Sequence, residues 1–320
     1  MSKINIATIF DRNYLIRALA FHEAISKFKN EYVFWFLCLD KDTKEILEKL
    51  SLNNVIAMSV EEIGDEELLK TRSSRSTGEF AFTSKPSWIN YIFNKIKDGD
   101  TLIYADNDII YFAPPENILE RMIKNGHSIG VTPHKFSEKK DWMNEKIGKY
   151  NAGLIYFISD QNSRLCVNEW RKQCIDWCYL KYDNGRFGDQ LYMNKWPEKY
   201  KGIYEIPDKG VNLGSWNIYN FKITERGGNF FVDEEPLVCY HFHRIKFYIA
   251  GNKIKPLPIY IYHKKLYNMY TDMIEKGWGK MLAFNKDWNY GFAEKPGVLR
   301  LIKQNLTRFL RKINRNGPEE

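Results

Sequence analysis

Apolar segments alternate with amphipathic ones along the first 110 residues. INIATIF is followed by a predicted helix over residues 13–28, and then by a second apolar segment, YVFWFLCLD. KDTKEILEKLSL predicts a helix, NNVIAMSV a third strand, and residues 85–97 a further helix after the loop-like TRSSRST. This order is typical of a parallel sheet with helices on its faces. The pattern therefore predicts an α/β fold.

Beyond residue 150 the pattern is less regular. GLIYFIS predicts a strand and residues 162–179 a helix, whereas residues 200–250 are rich in aromatic side chains that we expect in pocket-forming loops. No fixed-period repeat and no Pro/Gly/Ser-rich linker divides the chain. The sequence thus indicates one continuous unit.

Length and composition exclude several classes of protein. A chain of 320 residues with 44% hydrophobic residues can bury a large core. The longest apolar stretch, residues 32–39, is too short to span a membrane. The N-terminus shows no secretion signal, so we expect a cytoplasmic protein. The five cysteines lack the spacing of a zinc site and are expected to be reduced, packed thiols.

The net charge of +8 is confined to one end of the chain. Residues 253–320 carry 14 basic and 6 acidic side chains, whereas residues 1–252 carry 34 of each. A neutral body argues against a nucleic-acid groove, and a basic end favours a peripheral anionic surface.

Residues 298–315 have the pattern of a basic amphipathic helix. The predicted apolar stripe consists of Val298, Leu301, Ile302, Leu306, Phe309, Leu310 and Ile313. The basic side chains around it are Arg300, Lys303, Arg308, Arg311, Lys312 and Arg315. Such a helix suits an anionic membrane surface. The alternative is a helix docked on its own domain with a solvated basic face.

Two aspartates interrupt the apolar segment TLIYADNDIIYF. In a strand, residues two apart project to the same side, so Asp106 and Asp108 would present two carboxylates together at its carboxyl end. Such a pair needs a cation, and hard oxygen ligands select Mg²⁺ or Mn²⁺, which bridge phosphate oxygens. The alternative is a polar turn that joins two strands of a hairpin.

The segment YADNDIIYF resembles the DxD motif of GT-A glycosyltransferases. Four other segments follow the order seen in retaining glycosyltransferase family 8 and its relatives, and together they span residues 4–250. These segments are ATIFDRNYL, KYNAGLIYF, RFGDQLYMNKWP and YHFHRIK. The resemblance implies a GT-A fold, a Rossmann-like nucleotide-diphospho-sugar transferase with a mixed sheet flanked by helices.

The same resemblance implies domains and a function. Residues 1–255 would form the catalytic domain, with a nucleotide-sugar half over about 1–112 and an acceptor half over about 113–255. Residues 256–320 would form a basic helical extension. The implied reaction transfers a hexose or N-acetylhexosamine from a UDP-sugar to a glycan or lipid-linked oligosaccharide, with retention of anomeric configuration. The implied setting is surface polysaccharide or lipopolysaccharide biosynthesis, with the protein peripheral at the inner face of the membrane.

The resemblance also assigns site residues. Mn²⁺ or Mg²⁺ would be bound by Asp106, Asp108 and His241, with His243 as the rival third ligand. Asp189 and Gln190 would lie beside the anomeric carbon. The acceptor side would include Asn151 and Gly153. The donor would contact Thr8, Asp11, Asn13, Tyr14, Lys85, Asp106 and Lys246.

Some alternatives stay open. Asp11 or Asn13 could simply cap the first helix. A sugar nucleotidyltransferase also uses a doubly wound sheet and a metal carboxylate, but it usually has a Gly-rich phosphate loop, and residues 4–20 contain no glycine. A non-catalytic protein that binds glycans or membrane surfaces is the third class.

Overall fold

The computed structural model describes residues 3–28 and 31–316, without the side chains of Tyr260 and residues 311–316. Arg311, Lys312, Ile313 and Arg315 of the predicted tail pattern therefore lie outside the described side chains. The helices are α1 Leu15–Ser26, α2 Lys41–Leu50, α3 Glu66–Thr71, α4 Thr77–Phe93, α5 Glu116–Lys124, α6 Gln161–Asp176, α7 Trp196–Lys199, α8 Lys264–Phe284 and α9 Val298–Asn316.

Fifteen strands lie in the described part of the chain. They are β1 Ile4–Phe10, β2 Tyr32–Cys38, β3 Val55–Ser59, β4 Thr101–Ala105, β5 Ile109–Tyr111, β6 Ile129–Pro133, β7 Tyr150–Ile158, β8 Ile203–Glu205, β9 Leu213–Gly214, β10 Ile223–Arg226, β11 Asn229–Val232, β12 Glu235–Pro236, β13 Cys239–His241, β14 Phe247–Ala250 and β15 Lys253–Pro256.

Seven strands form a central mixed sheet in the order β3-β2-β1-β4-β7-β6-β8. β1, β2, β3 and β4 are parallel, whereas β7 runs antiparallel to both β4 and β6. The strands predicted from INIATIF, YVFWFLCLD, NNVIAMSV and GLIYFIS are all present. The predicted α/β class, with a mixed sheet between helices, is confirmed.

Each face of the sheet has its own hydrophobic core. Ile6 and Phe10 of β1 belong to one cluster, and Ala7 and Ile9 belong to the other, as alternation along a strand requires. Helices α1, α5 and α8 supply the first cluster, and α4 and α6 supply the second. The seven strands of the central sheet and these five helices, twelve of the described elements, thus surround one sheet whose loops build the site.

The prediction for α4 was wrong at its start. The helix begins at Thr77, not Lys85, because Ser76 and Glu79 form a capping box inside the segment that we interpreted as a loop. Glu79 accepts from the backbone of Ser76, and the Ser76 hydroxyl accepts from the Glu79 N–H. As a result Lys85 lies in the middle of a helix, where its side chain is fixed.

A second, three-stranded sheet has the order β5-β13-β9. β13 is antiparallel to β5, with His241 opposite Ile109, and parallel to β9, with His241 opposite Gly214. This pairing brings the late segment around residue 241 against the residues that follow β4.

The C-terminal extension has two different parts. Tyr270, Ile274 and Trp278 of α8 are buried in the same core as α1, and a Cβ atom on Gly277 would lie 2.9 Å from Ile16. Along α9, in contrast, large apolar side chains are exposed, including Leu299 at 84%. No helix in the described ranges has the length and apolar character needed to cross a membrane.

Candidate active site

The two aspartates of the DxD segment lie in a turn, not in a strand. β4 ends at Ala105 and β5 begins at Ile109, and the Ile109 N–H donates to the carbonyl of Asp106 at 3.0 Å. The expectation that strand alternation places both carboxylates on one side was therefore wrong. The turn also differs from a hairpin, because β4 and β5 belong to different sheets. Each aspartate consequently has its own set of neighbours.

Asp106 faces the central sheet. Its Oδ1 accepts from the Tyr104 hydroxyl at 2.9 Å and lies 3.7 Å from Nζ of Lys85. Its backbone N–H donates to the carbonyl of Gly153 at 2.8 Å. The carboxylate is thus positioned by residues of β4, β7 and α4.

Lys85 is buried among oxygen atoms. Its ammonium group lies 2.7 Å from Oδ2 of Asp189 and donates to the carbonyl of Ala152 at 2.9 Å. The side chain is only 2% exposed. Burial acts to lower the pKa of Lys85, but the carboxylates of Asp106 and Asp189 outweigh it and raise the pKa. Lys85 is therefore a fixed positive charge that links the two aspartates.

Asp108 pairs with His241. Oδ1 of Asp108 lies 2.9 Å from Nε2 of His241, and both residues are buried. Burial would raise the pKa of Asp108, but the neighbouring His241 dominates and lowers it to about 2. Burial would likewise lower the pKa of His241, and the Asp108 carboxylate raises it instead. The two side chains are therefore in direct contact, and each shifts the pKa of the other toward its charged form.

His243 lies next to this pair. Asp108, His241 and His243 each offer one ligand atom, and these atoms all lie within 4.8 Å of one another. The His243 side chain reaches the surface, but its ring is partly desolvated by its neighbours. This desolvation, together with the nearby His241, lowers the pKa of His243 to about 4, which leaves the imidazole neutral at pH 7. A carboxylate and neutral imidazoles are common ligands of divalent metal ions. Asp106 is not a member of this group.

Gly153 lies in close contact with the side chains of Asp106, His241 and Asn151. A Cβ atom here would lie 2.8 Å from both Oδ2 of Asp106 and Cε1 of His241, and 2.7 Å from Oδ1 of Asn151. Contacts this short exclude any side chain. Gly153 therefore lets β7 approach the carboxylate and the imidazole closely.

Asn151 joins the site to a buried hydrogen-bond network. Its Oδ1 accepts from the Gly153 N–H and from Nδ2 of Asn212, both at 3.1 Å. Its Nδ2 lies 3.1 Å from Nε2 of His134, whose Nδ1 bonds the carbonyl of Gly148 at 2.8 Å. Burial lowers the pKa of His134 to about 3, so the ring is neutral and accepts from Asn151. The predicted acceptor-side residues Asn151 and Gly153 thus fix the β7 backbone, whose Gly153 carbonyl accepts from the Asp106 N–H.

The loop after β1 contains the predicted donor residues Asp11, Asn13 and Tyr14. Both the side chain and the backbone N–H of Asn13 donate to Asp11, but the N-cap of α1 is Tyr14 and it makes no side-chain cap hydrogen bond. The alternative that Asp11 or Asn13 caps this helix was therefore wrong. Tyr14 is 45% exposed. Burial of its hydroxyl and the negative charge of Asp108 raise the pKa of Tyr14. Thr8 is fully buried within β1, and its hydroxyl has no hydrogen-bond partner among the described residues.

Two predicted residues make no hydrogen bond or ion pair with this cluster among the described residues. The Gln190 side chain donates to the carbonyl of Ile147 at 3.1 Å. Lys246 is exposed beyond β13 and has no ion pair with any described residue. Their assigned roles stay predictions.

Several residues of the site were missed by the sequence interpretation. Tyr104, His134, Asn212 and Trp216 all fix the groups described above. Tyr104 had a local signal, because it lies two positions before Asp106 and therefore on the same side of the strand. The other three are distant in sequence and had no such signal.

The chain matches no family model but is similar to two proteins of Bacillus subtilis. The uncharacterized protein YfnD of Bacillus subtilis strain 168 is 29% identical over 244 residues, which are 76% of this chain and 78% of YfnD. YfnF of the same strain is 27% identical over 257 residues, 78% of this chain and 84% of YfnF.

Solved structures define the class of fold. The galactosyltransferase LgtC, in complex with donor and acceptor sugar analogues, aligns with a TM-score of 0.55 and 15% identity over 87% of this chain and 96% of LgtC. The glycosyltransferase GlyE of Streptococcus pneumoniae TIGR4 aligns with a TM-score of 0.50 and 13% identity over 93% of this chain and 67% of GlyE. The chain thus has the GT-A glycosyltransferase fold. This likeness does not separate family 8 from its relatives.

Proposed function

We propose that the protein is a metal-dependent glycosyltransferase. It transfers a hexose or N-acetylhexosamine from a UDP-sugar to a glycan or lipid-linked acceptor. The observation that carries this proposal is the buried ion pair of Lys85 with Asp189. The Lys85 ammonium also lies 3.7 Å from Oδ1 of Asp106, two residues before Asp108, which pairs with His241. The cluster follows the carboxyl end of β4, where open α/β sheets bind their ligands.

The charges suit a nucleotide diphosphate. Breaking the bond between the anomeric carbon and the phosphate places negative charge on the leaving diphosphate, and a divalent cation supplies Lewis-acid stabilisation when bound. Asp106, Asp108 and His241 are the residues that would hold that cation, with His243 as the rival to His241. Tyr14, exposed near the same carboxylates, offers a ring on which a base can stack.

The surroundings of Asp189 favour retention of anomeric configuration. An inverting reaction needs a carboxylate base that takes the proton of the acceptor hydroxyl. Asp189 is only 4% exposed and its carboxylate is held by the Lys85 ammonium at 2.7 Å, so it is not free to contact an acceptor hydroxyl. In the proposed reaction the leaving phosphate takes that proton on the front face, and Asp189 positions the donor sugar through Lys85.

The C-terminal helix favours an acceptor at a membrane surface. Six large apolar side chains of α9 are at least 48% exposed, and the basic Arg300 and Lys303 are on the same helix. α9 also packs against the turn at Pro258–Tyr260, with Gln304 buried and Leu301 half-buried, so it is docked on the protein while most of its apolar stripe stays exposed. A peripheral site at an anionic membrane fits a lipid-linked acceptor of surface polysaccharide or lipopolysaccharide biosynthesis.

Donor screening tests the proposal. UDP-Glc, UDP-Gal, UDP-GlcNAc and UDP-GalNAc are each added with Mn²⁺, and the thermal shift and slow hydrolysis are measured. We expect one donor to raise the melting temperature and to be hydrolysed only with metal. Asp108→Ala should abolish both effects, whereas Asp272→Ala, at an exposed aspartate of α8, should change neither.

Three outcomes would contradict the proposal. If no nucleotide sugar binds in the presence of Mn²⁺, the protein does not use such a donor. Formation of UDP-sugar from UTP and a sugar phosphate identifies a nucleotidyltransferase. A product of inverted configuration, detected by NMR of the anomeric proton, excludes the front-face reaction.

A further inference from the structure

A segment between α8 and α9 packs on the loop after β1. This segment, residues 288–293, is named the strap, and residues 11–14 are named the β1 loop. Gly291 of the strap has a φ of +82°, and a Cβ atom there would lie 2.1 Å from the carbonyl oxygen of Asn13. A cavity of only about 10 Å³ is left where strap and loop meet. The strap is therefore in direct contact with a loop that contains three predicted donor residues.

The strap is fixed at both of its ends. At one end, the carbonyl of Trp288 accepts from the indole N–H of Trp278 in α8 at 3.0 Å. At the other end, the Ala293 N–H donates to the carbonyl of Phe247 at 2.7 Å, and Phe292 forms a parallel β-bridge with Phe247. The strap thus runs from α8 to the first residue of β14 and contacts the β1 loop between these two points.

Arg17 connects the β1 loop to the segment before β14. Its guanidinium donates to the carbonyl of Asn13 at 3.2 Å and to the carbonyl of Ile245, 228 positions further along the chain, at 3.1 Å. The same group lies over the ring of Tyr14, 4.7 Å from its centroid. Arg17 is only 8% exposed, and Lys246, another predicted donor residue, directly follows Ile245. A buried guanidinium with carbonyl partners on two segments fixes their separation.

Arg12 provides a second contact between the β1 loop and the strap. Its guanidinium lies over the ring of Tyr290, 4.5 Å from the centroid, and pairs with Asp42 of α2 at 3.1 Å. The Arg12 N–H donates to Oδ2 of Asp40, the N-cap of α2, at 2.8 Å. The β1 loop is therefore bound both by the acidic start of α2 and by the strap.

We infer that the strap and Arg17 hold the β1 loop in the conformation that binds the nucleotide of the donor. Arg17 and Gly291 are positioning residues, since both act through the backbone of Asn13. The catalytic unit then reaches residue 293, beyond the expected boundary at residue 255. A loop that is ordered in advance loses little conformational entropy on binding, so its release weakens affinity. The inference rests on the proposed function, because it assigns a nucleoside diphosphate to this loop.

Two measurements on the full chain test the inference. Hydrogen exchange of the peptide that covers the β1 loop, without nucleotide, reports its order, because the Asn13 and Tyr14 N–H groups both donate to Asp11. Calorimetric titration with UDP and Mn²⁺ reports nucleotide affinity. Gly291→Ala and Arg17→Met should each speed the exchange and weaken UDP binding by about tenfold or more.

The kinetics of the same variants separate positioning from chemistry. KM for the UDP-sugar found by donor screening should rise about tenfold, whereas the hydrolysis rate at saturation should change less than about threefold. Arg17→Lys keeps one positive charge but can reach only one of the two carbonyls, so its UDP affinity should lie between those of Arg17→Met and the unchanged chain.

Gly99→Ala is the matched control. Gly99 has a φ of +86°, close to that of Gly291, but no atom lies within 4 Å of its Cβ position. Both substitutions therefore strain the backbone alike, and only Gly291→Ala also meets the Asn13 carbonyl. Gly99→Ala should lower the melting temperature but leave loop exchange and UDP affinity unchanged. Circular dichroism establishes that each variant is folded, and if Gly291→Ala is not, Arg17→Lys and Arg17→Met decide.

Three results overturn the inference while the proposed function stands. Loop exchange is unchanged in the folded variants, or these variants bind UDP within about twofold of the unchanged chain. Alternatively, Gly99→Ala weakens UDP binding as much as Gly291→Ala, so that general strain is the cause. Failure of the proposed function gives a different result: the unchanged chain itself binds no UDP with Mn²⁺, and both claims are then wrong.

Discussion

Substitution of Lys85 by Met tests whether the buried ion pair organises the site. Methionine keeps the length and apolar stem of the side chain and removes the ammonium. The change leaves Asp189 buried without its partner at 2.7 Å and the carbonyl of Ala152 without its donor at 2.9 Å. The Lys85→Met variant should therefore fold but be clearly less stable.

The expected loss follows from distance and burial. At an effective dielectric constant of about 20, the attraction of Lys85 to Asp189 at 2.7 Å is about 6 kcal/mol, and that to Asp106 at 3.7 Å is about 4 kcal/mol. The cost of burying the ammonium offsets part of this attraction. Removal of one member of a buried pair typically costs about 3–5 kcal/mol, and we expect Lys85→Met to lie in this range.

Urea unfolding followed by circular dichroism at pH 7 measures the loss. The comparison includes Asp189→Asn and the double variant, because paired residues should show a coupling of about 2 kcal/mol or more, beyond what independent sites give. The deficit of Lys85→Met should shrink toward pH 4. Burial raises the pKa of Asp189 even beside Lys85, the variant removes the ammonium that lowers it, and a protonated carboxyl needs no cation.

Two results would refute this reasoning. A loss below about 1 kcal/mol would mean that the ammonium is not buried against Asp189. Additive effects of Lys85→Met and Asp189→Asn, within about 0.5 kcal/mol, would mean that the two side chains do not interact in solution.

Three further predictions concern other parts of the molecule. Gly153→Ala places a Cβ atom 2.7–2.8 Å from two oxygen atoms and an imidazole carbon, and should cost about 1–3 kcal/mol in urea unfolding. Gly279→Ala, on the open side of α8, should stabilise by about 0.5–1 kcal/mol, and equal effects of the two changes would contradict the packing. Burial lowers the pKa of His134 to about 3, below its ordinary 6.5. As the pH falls, this imidazole is therefore protonated in the unfolded state before it is protonated in the folded state. The free energy of unfolding should fall by about 1.4 kcal/mol per pH unit from pH 6 to 4, a contribution that His134→Gln removes; an unchanged pH slope refutes it. Replacement of Ile302 and Leu306 of α9 by Asp should abolish co-sedimentation with vesicles of anionic phospholipid but leave the melting temperature unchanged, whereas sedimentation equal to that of the unchanged chain contradicts a membrane role.

Local patterns predicted the central sheet because its signals are contiguous. β1 and β2 are buried on both faces, so each was identifiable as a short run of consecutive apolar residues, with a helical pattern between them. The start of α4 was missed for an equally local reason. Ser and Thr favour both loops and helix N-termini, and the Ser76–Glu79 box lies in a segment dominated by such residues.

The site was only partly predictable for a different reason. The DxD segment was recognisable because two aspartates interrupt a run of apolar residues. Lys85 and Asp189, however, are 104 positions apart, and their contact depends on how α4 packs beside the loop after α6. Likewise, the Asn212–Asn151 hydrogen bond joins residues 61 positions apart. No spacing rule in a single sequence predicts contacts of this kind, and the resemblance supplied Asp189 without its partner.

The error about the DxD segment changes the chemistry that its two aspartates can perform. Strand geometry would have placed both carboxylates on one side, and mutual repulsion would then require one shared cation. In the turn, Asp106 finds its counter-charge in Lys85, whereas Asp108 finds it in His241. Lys85 lies closer to Asp189, at 2.7 Å, than to Asp106, at 3.7 Å, so this single ammonium cannot neutralise both carboxylates. A divalent cation at this turn would therefore be attracted by Asp106 as well as by Asp108, although the two carboxylates are held by different partners.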